Sequence, residues 1–416
     1  MNVTLSEKAV FDNLNWYERL CRKFTMQFLA GIEHGEITLI EDGQRYQFGD
    51  SQSTLKASIT VLEPAFYQKL VLSGSVGAGE AYINGSWLCD NLTVLVQIFA
   101  RNLAHLDKLD NALSRLGRPL LRLINWRNRN SKSQARKNIA AHYDLGNDMY
   151  SLFLDTSMLY SSAVYPSVQA TLPEAQQHKL RLLCDRLELK ASDHLLEIGT
   201  GWGALAIFAA RNYGCKVTTT TISQQQYDYA KARIAQEGLQ DKITLLLSDY
   251  RDLTGQYDKL VSVEMIEAVG EDYLDTYFAS CSALLKPQGV MVLQAITIVD
   301  QRYKQYVREV DFIKRYVFPG GCLPSVQRMT DAMCRKTDLV LRQLHDIGFD
   351  YARTLKDWRD NFMAQRDSVH KLGYDDNFVR LWQFYLCYCE GGFLERATSA
   401  VHMVLSKPMH RPEIQH

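Results

Sequence analysis

Much of what usually betrays a protein's class is missing from this 416-residue chain. Its nine cysteines are odd in number and form no C-x-x-C pair. Met1–Ala9 do not read as a secretory leader, so reduced thiols in a cytoplasmic protein are expected rather than a disulfide framework. No apolar run reaches the roughly 20 residues that span a bilayer, so any membrane contact should be peripheral. There is no internal repeat and no low-complexity tract. Net charge is absent too, with 47 basic and 47 acidic residues, and a hydrophobic fraction of 46% is that of an ordinary globular protein. At this length two domains, or one domain with a substantial extension, are expected.

The balance of charge conceals a segregation. Between Asn111 and Tyr143 stand eight basic residues, Arg115, Arg118, Arg122, Arg127, Arg129, Lys132, Arg136 and Lys137, and no acid. Taking those eight from 47 leaves 39 basic residues against 47 acids, so the rest of the chain carries about minus eight. From Ala112 to Ile124 the leucines at 113, 116, 120 and 123 fall on one helical face and the arginines on another, despite Pro119, which makes an amphipathic basic element. Residues 126–137 read as an exposed basic linker. They separate a small mixed α/β domain (1–125) from a larger one (138–416). In the first, Glu36–Ile40 and Ser58–Leu62 are strand-like, with turn signals at Asp42-Gly43 and from Gly74 to Gly79. A run of arginines is most often a solvated surface. Nucleic acid is not expected, because zinc-ligand spacing and an RNA-binding aromatic signature are both lacking. Anionic phospholipid headgroups fit better, with Trp126 and the leucines inserting shallowly.

Beyond the linker, strand candidates at His194–Ile198, Lys216–Thr220, Ile243–Leu247, Lys259–Val263 and Val290–Ala295 alternate with helical stretches such as Ser223–Glu237 and Tyr273–Leu285. This alternation predicts an α/β fold with a mostly parallel, doubly wound sheet. Its ligand crevice should lie beyond the carboxyl ends of the strands, where Gly199, Thr221, Asp249 and Glu264 would cluster. The stretch HLLEIGTGWG, residues 194–203, reads as a buried strand ending in a turn. Gly199, Gly201 and Gly203 at every second position admit positive φ and close ligand approach. The pattern lacks both the G-x-x-G spacing of dinucleotide binders and the Gly-Lys-Ser/Thr ending of phosphate loops, which favours a cofactor without a polyphosphate. S-adenosylmethionine is the leading candidate.

The segments AHYDLGNDMYSLFLDTSMLYSSAVY, LLEIGTGWG, TTTISQQQ, VEMIEAVG, YVFPGGCLPS, DYARTLKDW and YLCYCEGGF, in this order, resemble the cyclopropane-fatty-acyl-phospholipid synthases. The likeness covers roughly Asn138 to Lys407 and implies a Rossmann-like class I methyltransferase fold with a smaller N-terminal α/β domain. It also implies S-adenosylmethionine bound by Tyr160 and Ser161, by Glu197 and the turn of Gly199, Gly201 and Gly203, by Thr221 and Gln226, and by Asp249 and Tyr250. Bare glycines would let the methionine part lie on backbone, Gln226 would bond the ribose, and Asp249 would accept from the adenine amino group. In the family an alkene attacks the sulfonium methyl, and a base then takes a proton from that methyl to close a ring. The base implied is a bicarbonate ion, cradled by backbone amides of Ser162 and Cys389 and by the side chains of Glu267, Gln294 and Tyr351. A carboxylate beside an anion is repulsive unless a proton lies between them, so Glu267 is expected to accept from the bicarbonate hydroxyl.

Two departures stand out. Ser162 replaces the cysteine of several members, which is harmless if only its amide matters. Gln294 replaces a common histidine and cannot titrate near neutral pH. Were the ion lost, the cation could shed another proton and give a methyl-branched alkene. Ordinary structural readings also compete: Thr221 and Gln226 flank a helix start at Ser223, and Glu267 suits a first helical turn. Cys387 and Cys389 suit an apolar helix, and no metal is expected. Phe312, Tyr316, Phe318 and the stretch LWQFYLCYC would line an acyl channel or simply fill a core. The resemblance thus implies transfer of a methylene to the cis double bond of a phospholipid acyl chain. C-methylation without ring closure, giving methyl-branched or furan fatty acids, is the first alternative, and a catalytically inactive lipid-binding protein the second. The expected partners are a phospholipid surface with unsaturated chains at the inner face of the membrane and, in a homodimer, a second copy.

Overall fold

The computed structural model describes residue 11 and residues 14–103 and 146–412. The basic stretch, its amphipathic element and the linker at 126–137 therefore lie outside the described residues. Contacts group the rest into two interleaved compact units.

One unit takes the chain up to residue 103 together with Glu309–Val317 and Met363–Ala397. Its sheet has the order β2-β1-β3-β4, built from β1 (Glu36–Glu41), β2 (Gln44–Gly49), β3 (Lys56–Val61) and β4 (Trp87–Cys89). Strands β1 and β2 form a hairpin around Asp42 and Gly43, whose φ values of 48° and 77° suit its right-handed twist. The turn expected between Gly74 and Gly79 is instead a kink inside helix Ala65–Ile83, where Gly74 adopts φ 54° and ψ −132°. Gly79 admits the ring of Phe312, which a Cβ there would meet at 2.5 Å. Phe312 is fully buried and packs 4.7 Å from Phe384, so this aromatic group is core. Helix Asp376–Leu394 joins helix Leu92–Arg101, and Thr93 Oγ1 donates to buried Glu390 Oε2 at 2.9 Å. Partners 297 residues apart explain why no composition shift marks this association.

The other unit holds a seven-stranded sheet of order β10-β11-β9-β8-β5-β6-β7. Its strands are β5 (His194–Ile198), β6 (Lys216–Thr221), β7 (Ile243–Leu247), β8 (Tyr257–Val263), β9 (Leu285–Ile298), β10 (Val340–Asp346) and β11 (Thr398–Ser406). All pairings are parallel except those of β11, which runs against both β9 and β10. Helices cover both faces over two apolar clusters, one around Leu196, Leu260 and Met291, the other around Leu195, Val261 and Val292. Alternate residues of one strand thus enter opposite cores, as strands buried on both sides require. The tips of β5, β6 and β8 consequently open on one rim of the sheet, where ligand sites of such folds form.

Candidate active site

Strand β5 leads into the glycine turn, where Gly199, Gly201 and Gly203 have φ values of 102°, 53° and 87°. Gly203 is the left-handed N-cap of helix Ala204–Asn212 and offers no side chain, so amides of its first turn face the rim. A Cβ on Gly201 would meet nothing within 4 Å, whereas one on Gly199 would lie 3.3 Å from Met265 Cβ. The turn is therefore open at its middle and packed against the tip of β8 at its start. Below it, Thr219 Oγ1 donates to Glu197 Oε2 at 2.6 Å, and burial pushes the Glu197 carboxyl up to about 8.

The neighbouring strand tips carry the other expected cofactor residues. Thr221 Oγ1 bonds Gln226 Oε1 at 2.9 Å, which leaves the Gln226 amide NH2 as the group a ribose hydroxyl could accept from. Ser223 caps the helix through Gln226 N at 3.3 Å, so the helix-start reading holds beside the ligand reading. Asp249 accepts from Arg251 N, Nε and Nη2 at 2.9, 2.8 and 2.7 Å. No sequence motif singles out Arg251, whose guanidinium also lies 5.5 Å from the rings of Tyr250 and Tyr273. The buried Tyr250 hydroxyl has no hydrogen-bond partner among the described residues. Tyr160 packs 5.2 Å from both Tyr150 and Trp358, and Trp202 lies 5.2 Å from Tyr150, forming an aromatic wall. Ser161 Oγ accepts from Lys179 Nζ at 2.7 Å. Burial pulls that fully buried ammonium down to about 8, against the attraction of Glu264 and Asp155.

Three of the residues expected around bicarbonate converge, and what they hold is Glu264. Its Oε1 accepts from Ser162 N at 2.8 Å and from Gln294 Nε2 at 2.7 Å, and its Oε2 accepts from Tyr351 OH at 2.7 Å. Strand register sets this geometry. Glu264 follows β8, its N–H donates to Gln294 O on β9 at 2.8 Å, and Gln294 in turn stands opposite His402 on β11. His402 Nε2 meets Gln294 Oε1 at 2.7 Å, while its Nδ1 faces the Arg186 guanidinium. Arginine can only donate, so Nε2 of His402 carries the ring hydrogen and Gln294 must turn its NH2 toward Glu264. Burial, with Arg186 next, drives the imidazole well below its ordinary value, in keeping with a neutral ring. Glu264 also has φ 48°, a left-handed conformation that costs a non-glycine residue about 1–3 kcal/mol and persists where its surroundings demand it.

Glu267 lies beside this group and points elsewhere. Its Oε1 accepts from Ile296 N at 2.5 Å, and its buried Oε2 has no partner among the described residues. Burial first and Glu264 second push its carboxyl up to about 8. Glu264 is also raised by burial, but Gln294, Lys179, Ser162 and Tyr351 all act to lower it. The two carboxyls are thus differentiated: Glu264 is the one built to hold charge, Glu267 the one built to keep its proton. Cys389 falls in the other compact unit, on helix Asp376–Leu394, where burial raises its thiol. Sequence reasoning placed Glu264 in the crevice without giving it a role, and it missed Lys179, Arg186 and His402. The available signal was a second acid three residues before Glu267 at a strand tip.

Against known proteins, residues 130–403 match the family model described as mycolic acid cyclopropane synthetase. The chain belongs to that family. It is 38% identical to the cyclopropane-fatty-acyl-phospholipid synthase of Escherichia coli K12, over 84% of this chain and 88% of that one. It is also 38% identical to the tuberculostearic acid methyltransferase UfaA1 of Mycobacterium tuberculosis, over 79% of this chain and 78% of the other. The solved mycolic acid cyclopropane synthase CmaA1, complexed with SAH and CTAB, is 27% identical with a TM-score of 0.61, over 65% of this chain and 98% of that one. The parallel sheet with its single reversed strand is accordingly the class I methyltransferase fold expected of this family.

Proposed function

We propose that this chain transfers a methylene group from S-adenosylmethionine to the cis double bond of an unsaturated phospholipid acyl chain, forming a cyclopropane ring. The observation that carries the reading is the carboxylate of Glu264, held by three donors and followed directly by Met265, which lies beside the first glycine of the turn. The open space over Gly201 and the unpartnered Tyr250 hydroxyl fit S-adenosylmethionine, whose binding would rest on the residues of β5, β6 and the β7 tip. When bound, that cofactor supplies an electrophilic methyl group and leaves as a neutral thioether. The protein's own part is to orient, shield and deprotonate. Tyr160, Trp358 and Tyr351 form the wall against which an alkyl cation is stabilised by ring faces and kept from water.

Bicarbonate does not fit this site as the resemblance implies. The Ser162 amide, the Gln294 amide group and the Tyr351 hydroxyl already donate to Glu264, and a second anion there would face that carboxylate. Attachment to anionic bilayers is supported by the eight acid-free basic residues between Asn111 and Tyr143. No helix among the described residues is long and apolar enough to cross a membrane.

The similarity to a tuberculostearic acid methyltransferase favours one second reading, methyl transfer without ring closure. The two products are isomers, so the test is structural. Monounsaturated phospholipid vesicles are incubated with S-adenosylmethionine and the released fatty acids examined by proton NMR. An upfield ring-methylene signal is expected; an exocyclic methylene signal in its place overturns the cyclopropane reading.

A further inference from the structure

Resting on that reading of the site, we infer that the base of this enzyme is its own Glu264 carboxylate and that no bicarbonate ion takes part.

The cradle argues first. A carboxylate has about four acceptor positions. Ser162 N and Gln294 Nε2 fill those of Oε1, and Tyr351 OH takes one on Oε2, which leaves one position on Oε2 for an incoming proton. The fixed amide of Gln294 argues second. His402, itself oriented by Arg186, locks this amide so that its NH2 is spent on Glu264 Oε1 at 2.7 Å. The backbone argues third, since a left-handed glutamate persists only where the surrounding contacts over-determine it.

Location completes the case. Met265, the next residue, touches the start of the glycine turn, and Ser162 follows Tyr160 and Ser161 of the aromatic wall and Lys179 contact. In the step assigned to Glu264, a C–H bond of the newly added methyl breaks. Its electron pair forms the second ring bond to the cationic carbon, and its proton passes to Oε2. The resulting carboxylic acid then returns that proton to water. Glu267, kept neutral beside it, adds no second negative charge during this step.

The full chain and two variants test this. Glu264→Gln keeps the shape and removes the basicity. Glu264→Gly removes the side chain and the left-handed strain, so folding is retained. In carbon-dioxide-free buffer the unaltered enzyme should turn over within twofold of its rate with added bicarbonate, and Glu264→Gln should be slower by about a hundredfold or more. Calorimetric affinity of Glu264→Gln for S-adenosylmethionine should stay within twofold. Glu264→Gly should be inactive until formate or bicarbonate is supplied. A readout independent of lipid chemistry accompanies these rates: the 13C NMR line of labelled bicarbonate should broaden with Glu264→Gly and not with the unaltered chain. Bicarbonate bound by the unaltered chain, or a Glu264→Gln enzyme within threefold of full rate, overturns the inference. Absence of a ring product with the binding contrast intact overturns the proposed function instead.

Discussion

Replacing Tyr351 by phenylalanine removes one hydroxyl and little else. The ring stays buried, edge-on to Trp358 at 6.1 Å, so packing survives while Glu264 Oε2 loses its donor at 2.7 Å. A hydrogen bond to an ionised group is worth about 1.5–3 kcal/mol. It stabilises only the charged carboxylate, so its loss should raise the Glu264 pKa further above the usual carboxylate range. The acid limb of the kcat/KM profile should move to higher pH accordingly. At neutral pH kcat should fall about ten- to a hundredfold, with part of the loss recovered on raising the pH. The assay is S-adenosylhomocysteine release over a pH series, with calorimetric cofactor affinity as control. A profile that superimposes on that of the unaltered enzyme would refute the assignment of Tyr351 as a donor to the base.

Three other perturbations separate cofactor, stability and membrane terms. Gly201→Ala puts a methyl into space empty to 4 Å, so S-adenosylmethionine affinity should drop at least about tenfold; an unchanged calorimetric Kd would remove the turn from the site. For Glu197, the unfolded carboxyl titrates near 4.5 and the folded one near 8, so between those values the unfolded chain is ionised and the folded one protonated. Stability should therefore fall across that window by on the order of 5 kcal/mol, and Glu197→Gln, which can still accept from Thr219, should flatten the slope in urea melts. Binding to anionic vesicles should weaken as salt rises from about 50 to 500 mM, with each basic residue contributing about 1 kcal/mol at low salt; salt-independent cosedimentation would exclude headgroup attraction.

The core of the fold was legible because its signals are local. Strands β5 and β7 lie where alternation and apolar runs put them, and the glycine turn has the positive φ values its spacing asked for. The reversed strand β11 and the polar edge strand β10 were not legible. The first pairs with a strand more than a hundred residues away, and most residues of the second are exposed, leaving no core face to read. The same limit hid the base. The family pattern drew attention to Glu267, whereas the direction of a side chain at a strand tip depends on one backbone angle, and nothing in VEMIEAVG announces φ 48° at Glu264. His402 was invisible for a related reason: its only role runs through Gln294, which stands opposite it on a neighbouring strand.

That pairing explains how an uncharged glutamine is held in one orientation. Gln294 and His402 stand opposite each other on the adjacent strands β9 and β11, and Glu264, the residue just past the end of β8, extends the row. Side chains alternate faces along a strand, so a slip of one residue in the β9–β11 pairing would send Gln294 or His402 to the opposite face and break the relay, while Glu264 is aimed by its left-handed backbone. Helix Leu172–Arg186 closes the row from outside. Lys179 and Arg186 are seven residues apart, two helical turns, and so reach Ser161 and His402 from one face. A titrating histidine at 294 would give the site an orienting group that changes with pH. Here the orienting proton sits one strand further away, on a buried imidazole held neutral by burial and by arginine, and the glutamine transmits its direction without taking its charge.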